Sequence, residues 1–299
     1  MYLTIRHLTR YVYQGEASDS LNEVRMQPLM HDEDQHLLSF TLATSPQAKL
    51  FHYDLPWGRV HHFGVRDPHA ILEIETHARV RTCLSDPFLR MNLAVEDDNR
   101  YDSTMRSANY EWLLPTARVP HDDPSLADEL DALIAEARKN ADGPTTSHFL
   151  VALTGLLHRE FPYAPGDTNV DTTLREVLTL RRGVCQDTAH LFLALARRAG
   201  IPSRYVSGYL YTGHGLTSND RMHAWIECLV PNAYGSSSQT RWLWRGFDPT
   251  NNLVAGKSYI KVHRGRDYAD VSPNKGIFWG LPTERLDIEV EVFAEDSTS

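Results

Sequence analysis

The stretch RRGVCQDTAHLFLALARRAGIP, residues 181–202, decides how the second half of the chain folds. From Cys185 to Ala199 nearly every residue is a good helix former and most are apolar, while Gly200 and Pro202 provide the stop. A helix that is apolar over most of its surface must be buried. The sequence therefore predicts a central helix that begins at Cys185 and packs inside a core.

The first turn of this helix favours a reactive cysteine. Its unpaired backbone N–H groups and the positive end of the helix dipole stabilise a thiolate over a thiol, and they can also bind an oxyanion. Gly183 lets the chain turn sharply, so that the sulfur of Cys185 can sit at the tip of a buried element. The alternative is a small apolar core residue, which is how we interpret Cys83 and Cys228 in their strand patterns.

A nucleophilic cysteine also needs a base, and the 15 histidines of the chain must be separated by geometry. His190 follows Cys185 by five residues, about 140° around the helix, and is predicted to be a core or interface residue that faces away from it. His223 lies in the strand pattern MHAWIECLV, where alternation places it on one face with Trp225 and Glu227. The strand therefore aims His223 in a defined direction.

The next strand pattern, RWLWRGFDP, brings a carboxylate to this histidine. If residues 231–241 form the hairpin loop, its centre near residue 236 places His223 close to Asp248. A carboxylate beside an imidazole fixes its tautomer and stabilises the imidazolium that forms when the ring deprotonates a thiol. Alone, the pair would be read as a cross-strand contact. Together with Cys185, it indicates a Cys-His-Asp nucleophilic site.

The patterning divides the chain into three parts. Residues 1–84 alternate apolar and polar residues between turn sequences and are predicted to form an antiparallel β domain. Residues 85–122 lose this periodicity and are interpreted as a linker. Residues 123–299, with the C-terminal strand pattern RLDIEVEVF, are assigned to a core of helices packed on an antiparallel sheet. The predicted fold class is α+β.

Two helix starts carry capping signals. Asp123 is a predicted N-cap before Pro124, and Thr173 stands at capping-box spacing from Glu176. The helix that begins at Thr173 is predicted to close at Gly183.

Composition excludes several classes of function. Three widely spaced cysteines without a CxxC pair predict free thiols rather than a disulfide framework or a thiolate zinc site. A net charge of −9 without a dense basic run argues against nucleic acid or anionic lipid as a partner. We find no membrane-span or signal-peptide pattern and expect a cytoplasmic protein without a membrane association. No metal or other cofactor is expected, and the oligomeric state stays open.

The runs GVCQDTAHLFLALARRAGIPSRYVSGYLY, HAWIECLVP and WRGFDPTNN closely resemble the bacterial transglutaminase-like family, whose core is related to papain-type cysteine peptidases. The resemblance is strong over residues 145–270, and the first part of the chain resembles the β-rich domain that accompanies this core. It implies that Cys185 is the nucleophile, that His223 is the general base and acid, and that Asp248 orients the histidine.

The resemblance also suggests residues that contact the oxyanion or the substrate. Tyr163, in FPYAPGDTNV, lies near the position where larger members place an aromatic side chain of the oxyanion hole; a packed aromatic is the alternative. Gln186 and Trp225, next to the nucleophile and the base, are included in the same group.

The activity that the resemblance implies is acyl transfer through a thioester on peptide, isopeptide or glutamine-type amide bonds, without a metal. Since water is the default acceptor, hydrolysis is favoured over transfer to an amine. One alternative is a non-catalytic peptide- or protein-binding module that uses the N-terminal β domain and the cleft around Trp225. A metal protein that uses Cys185, His190 and His223 is less favoured, because a single cysteine without a local ligand pair is a poor start for a metal site.

Overall fold

The computed structural model describes residues 1–91, 103–213, 222–233 and 242–295. Within these ranges the chain forms two antiparallel sheets, with helices packed against the second. The strands of the first part are β1 to β6, at Tyr2–Val24, His31–Asp32, Gln35–Ser45, Phe51–Leu55, Gly58–Val65 and His69–Thr82.

The second part contains the helices and the remaining described strands. The helices are α1 to α6, at Ser103–Ala108, Ala127–Lys139, Thr146–Glu160, Leu174–Leu180, Cys185–Arg198 and Tyr268–Val271. The strands are β7 to β13, at Ser203–Leu210, His223–Pro231, Trp242–Asp248, Leu253–Val254, Tyr259–Gly265, Asn274–Gly280 and Thr283–Ala294. None of the helices in the described ranges is long and apolar enough to cross a bilayer.

The long strand β1 is the centre of the first sheet. Its first half lies between β6 and β13, and its second half lies between β5 and β12. The antiparallel β structure predicted for the first part is therefore confirmed. The assignment of the C-terminal strand to the core is wrong, because β13 pairs with β1 from Leu3 and Ala294 to Tyr13 and Thr283. Alternation specifies which face of a strand is buried, but not which strand lies beside it.

The helix predicted from the opening stretch, α5, is the buried centre of the second part. All residues from 186 to 197 are buried. One side of α5 packs on β7 and β8, and α2, α3 and α4 cover the rest. The described strands of this sheet follow the order β10-β9-β8-β7-β11. The predicted α+β core of helices on an antiparallel sheet is confirmed.

Most of the predicted helix signals also hold. Asp123 accepts a hydrogen bond from the N–H of a residue in the first turn that follows it, and Thr173 and Glu176 form the capping box of α4. The predicted stop at Gly183 is wrong, because α4 ends earlier and Arg181 adopts the left-handed conformation with φ 53°. Gly183 belongs instead to the extended segment that leads into α5.

The segment interpreted as a linker contains ordered structure in its described part. A 3₁₀ helix at Tyr110–Leu113 holds Trp112, which is 5% exposed, edge-on between Trp57 and Trp244. Trp57 follows β4 in the first part, and Trp244 lies on β9 in the second. This segment therefore packs between the two parts of the chain. The domain boundaries themselves stay a prediction.

A buried ion cluster joins the two sheets. The carboxylate of Glu227 on β8 is 0% exposed and lies 2.7 Å from Arg204, 2.7 Å from Lys261 and 3.0 Å from Arg264. Lys261 and Arg264 also contact Asp32 of β2, so the cluster spans from the first sheet to β8 and β11. The nearby cations hold the pKa of Glu227 well below its usual range although burial alone would raise it.

Replacement of Glu227 by glutamine should destabilise the protein by about 3–5 kcal/mol, because it leaves buried cations without their carboxylate. Urea unfolding would measure the free energy. The control is Asp54→Asn. Asp54 forms an ion pair with Arg59, but its side chain is 64% exposed, so this variant should change the free energy of unfolding little. Equal effects of the two variants would show that the buried cluster does not stabilise the fold.

Candidate active site at the start of helix α5

The first turn of α5 is fixed by a buried aspartate. Oδ2 of Asp187 accepts hydrogen bonds from the backbone N–H of Val184 at 2.8 Å and from Oγ1 of Thr168 at 2.6 Å. A Cβ on Gly183 would lie 2.6 Å from that same oxygen, so only glycine lets the chain approach so closely. These contacts hold Cys185 as the first residue of the helix, as the sequence predicts.

The three cysteines occupy different environments. Cys185 is partly buried and packs against the apolar core around α5. Cys228 is buried in that core, and burial raises the pKa of its thiol well above the usual value. Cys83 is exposed and lies just past the end of β6, so its interpretation as a small core residue is wrong. Strand β6 ends at Thr82, one residue before Cys83.

His223 and Asp248 meet across neighbouring strands, as the sequence predicts. Nε2 of His223 lies 2.8 Å from Oδ2 of Asp248, and the two side chains are 14% and 0% exposed. In the observed register Ile226 faces Phe247, so its continuation puts Asp248 opposite Trp225, two residues from His223. The contact is therefore diagonal. The connecting loop predicted over 231–241 lies for the most part outside the described residues.

The Asp248 carboxylate is held by several donors. Oδ1 accepts hydrogen bonds from the backbone N–H groups of Thr250 at 3.0 Å and Asn251 at 3.2 Å. Besides His223, Oδ2 accepts hydrogen bonds from Nδ2 of Asn251 and from the hydroxyl of Tyr259, both at 2.7 Å. Burial alone would raise the pKa of Asp248, but these hydrogen bonds and His223 lower it. The carboxylate therefore stays charged.

His223 lies between this carboxylate and the cysteine. Burial acts to lower the pKa of His223, but the hydrogen bond to Asp248 and the interaction with Cys185 outweigh it and raise the pKa to about 10. Because Nε2 is used by Asp248, Nδ1 is the ring nitrogen left for the thiol. At neutral pH the ring is therefore an imidazolium that lies next to Cys185.

This arrangement predicts that Cys185 reacts unusually fast in mild acid. At about pH 6, where an ordinary thiol is almost fully protonated, iodoacetamide should label Cys185 at least about tenfold faster than the exposed Cys83. Peptide mapping after brief labelling would measure both sites. His223→Gln should remove the difference, since the imidazolium is lost. Faster labelling of Cys83 in the unchanged protein would contradict the arrangement.

Two of the residues predicted to contact the oxyanion or substrate lie beside the cysteine. The backbone of Tyr163 is bridged to that of Gly183, and its side chain is 52% exposed. Gln186 follows Cys185, but its side chain is 8% exposed and donates from Nε2 to the carbonyl oxygen of Val170 at 3.1 Å. Tyr163 is therefore accessible to a ligand, whereas Gln186 is engaged in holding a neighbouring segment.

Trp225 has a different position from the one expected. It is 0% exposed, so it does not line an open cleft. Its rings stack on His223, with centroids 6.1 Å apart, and Tyr259 meets them edge-on at 5.2 Å. Alternation correctly puts Trp225 on the face of His223, but the side chains of Val206, Ala255 and Tyr259 pack around it there. Trp225 therefore packs against the ring of His223 and helps to hold it in place.

His190 is a core residue, as its helical position predicts. It is 3% exposed, its Nε2 accepts a hydrogen bond from the backbone N–H of Tyr268 at 3.2 Å, and burial lowers its pKa to about 4. In the described ranges no three His, Cys, Asp or Glu side chains are close enough together to hold a metal ion. The described residues therefore do not form the metal site that the sequence offers as an alternative, with Cys185, His190 and His223 as ligands.

Sequence reasoning missed two contacts of Asp248. Asn251 follows it by three residues in FDPTNN, and an Asp whose side chain accepts from the next N–H groups is a local turn signal that the sequence contains. Tyr259 has no such signal, because β11 reaches the site only through its pairing with β7.

Comparisons with known proteins agree with this fold. Residues 131–249 match the model of the transglutaminase-like superfamily, and residues 3–81 match that of the bacterial transglutaminase-like N-terminal region. An uncharacterised protein of Mycobacterium leprae is 32% identical over 97% of this chain and 98% of its own length. The chain therefore belongs to the transglutaminase-like superfamily, in the bacterial form that carries this N-terminal region.

Two further relatives extend the comparison. An uncharacterised protein of Mycobacterium tuberculosis is 39% identical over 47% of this chain and 45% of its own length. A crystal structure from Cytophaga hutchinsonii, provisionally described as a cysteine protease, matches with a TM-score of 0.69 and 22% identity, covering 100% of this chain and 92% of that one. At this identity the likeness shows the fold. The family is one of cysteine-dependent enzymes.

Proposed function

We propose that the chain is a cysteine acyl enzyme in which Cys185 is the nucleophile, His223 the general base and acid, and Asp248 the group that orients the histidine. The observation that carries the proposal is the histidine ring, which is hydrogen-bonded to a fully buried carboxylate and also interacts with Cys185. This is the arrangement that an activated thiol needs, namely a base in reach and a third group that orients the base.

The proposed reaction has two steps. The Cys185 thiolate attacks the carbonyl carbon of an amide, and the imidazolium of His223 gives its proton to the departing amine as the C–N bond breaks. A thioester remains on Cys185. His223, now neutral, takes a proton from water or from an amine, which attacks the thioester and releases the acyl group, so that the thiolate of Cys185 and the imidazolium of His223 are restored. Asp248 stays charged throughout and stabilises the imidazolium.

The oxyanion of each tetrahedral intermediate would form at the N-terminus of α5. The first backbone N–H groups of an α-helix have no carbonyl partner in a preceding turn, and they carry the positive end of the dipole. The half-exposed Tyr163, beside Gly183, is the side chain that we propose as a second contributor.

We propose peptide, isopeptide or glutamine-type amides as substrates, with hydrolysis favoured over transfer to an amine. Water reaches a partly exposed site without a dedicated pocket, whereas a transferase must bind its amine. We propose a reducing compartment, the cytoplasm, since three cysteines are free in the chain.

A product analysis tests the proposal. The protein is incubated with a panel of glutamine-containing and isopeptide-linked peptides, with and without a primary amine, and products are identified by mass spectrometry. The proposal expects a Cys185-dependent free acid that remains the main product when the amine is added. An amide product would keep the triad but replace hydrolysis by transfer. No product that depends on Cys185 across the panel would contradict the enzyme.

One observation favours a binding module as the second candidate. A concave surface of the first sheet, with a volume of about 680 Å³, is lined by exposed apolar residues, including Leu21, Phe51, Tyr53 and Ile277. A binding module should retain peptides from the same panel after alkylation of Cys185, without forming product. Loss of retention on alkylation would count against it.

A further inference from the structure

We infer that Tyr259 is a positioning residue of the proposed active site, acting on His223 through Asp248. The inference rests on the proposed function, since it assigns a role within the same group of residues. Tyr259 begins β11, is 5% exposed, and donates its hydroxyl to Oδ2 of Asp248 at 2.7 Å. That oxygen is the one that His223 uses, so tyrosine and histidine share a single acceptor atom.

The ring of Tyr259 is fixed independently of this hydrogen bond. Trp225 meets it edge-on at 5.2 Å, and the ring of His223 lies 6.4 Å away. Two residues further along β11, the backbone N–H of Lys261 donates to Oε1 of Gln35 at 2.8 Å. The strand that carries the hydroxyl is therefore tied to the first sheet. The hydroxyl cannot follow Asp248 freely and so limits where the carboxylate oxygen lies.

The shared acceptor has an electrostatic consequence. A hydrogen bond from Tyr259 withdraws negative charge from Oδ2 of Asp248, so the carboxylate stabilises the imidazolium less than it would alone. Burial raises the pKa of the Tyr259 hydroxyl, as the neighbouring Asp248 carboxylate also does, so the hydroxyl remains a donor. Removing the hydroxyl should therefore make His223 hold its proton to a higher pH while the carboxylate is less firmly oriented.

The test measures the pH dependence of Cys185 alkylation by iodoacetamide, resolved by peptide mapping, in the full chain. The imidazolium loses its proton at the alkaline end of this profile, which marks the state of His223. In Tyr259→Phe we expect this alkaline step to move upward by about half a pH unit to one unit. A loss of stability alone would not move the step.

Tyr209→Phe is the matched control. Tyr209 is also buried, at 1% exposure, and its hydroxyl is 3.0 Å from Nδ1 of His7, away from Asp248. It should lose a buried hydrogen bond and keep the profile of the unchanged protein. An unshifted or downward-shifted step in Tyr259→Phe would overturn the inference. If the profile of the unchanged protein has no alkaline step and Cys185 is alkylated at the same rate as Cys83, the proposed function itself fails.

Discussion

Replacement of Cys185 by alanine should abolish turnover, with a loss of about 10⁴-fold or more, and leave the fold nearly intact. Alanine suits the first turn of a helix, and the change removes one sulfur from a partly exposed position. Product formation from the peptide panel and thermal unfolding would measure the two effects. Cys83→Ala is the control, because it removes an exposed thiol outside the site. Full activity of Cys185→Ala would contradict the nucleophile.

Asp248→Asn should reduce activity by about 10⁴-fold, because an amide favours the wrong tautomer of His223. The structure adds a cost in stability. Both carboxylate oxygens of Asp248 accept hydrogen bonds, Oδ1 from the backbone N–H of Thr250 and Oδ2 from the hydroxyl of Tyr259. In either orientation of the asparagine side chain, its NH₂ group therefore faces a group that also donates, and a hydrogen bond is lost. We expect a loss of about 1–3 kcal/mol in the free energy of unfolding.

Kinetics and urea unfolding of Asp248→Asn separate the two roles of the carboxylate. Activity of the folded fraction is compared with that of the unchanged protein at a urea concentration where both are folded. If the variant unfolds readily but its folded fraction is fully active, the pair of His223 and Asp248 is structural.

The parts of the fold that depend on local patterns could be predicted from the sequence. The start of α5 at Cys185 follows from the run of helix-forming residues and from the glycine that precedes it. The pairing of His223 with Asp248 follows because β8 and β9 are consecutive strands. The exact register between β8 and β9 could not be predicted, because it depends on the length of the connecting loop. The observed contact between His223 and Asp248 is diagonal rather than directly across the strands.

Other features depend on contacts between distant segments, which a single sequence does not encode locally. β13 reads as a strand, but its pairing with β1 links the two ends of the chain. Glu227 shares a strand face with His223, yet only the fold brings Lys261 and Asp32 to it. The burial of Trp225 and the reach of Tyr259 to Asp248 arise in the same way, from side chains that separate strands of the second sheet bring together.

The central claim is that Cys185 forms a thioester. A direct measurement uses p-nitrophenyl acetate, an activated acyl donor that needs no knowledge of the natural substrate, followed by peptide mapping after rapid acid quench. We expect an acetyl group on Cys185 within the first turnover, slower acetylation in His223→Gln, and none at this position in Cys185→Ala. Acetylation of the exposed Cys83 with Cys185 unmodified would contradict the claim.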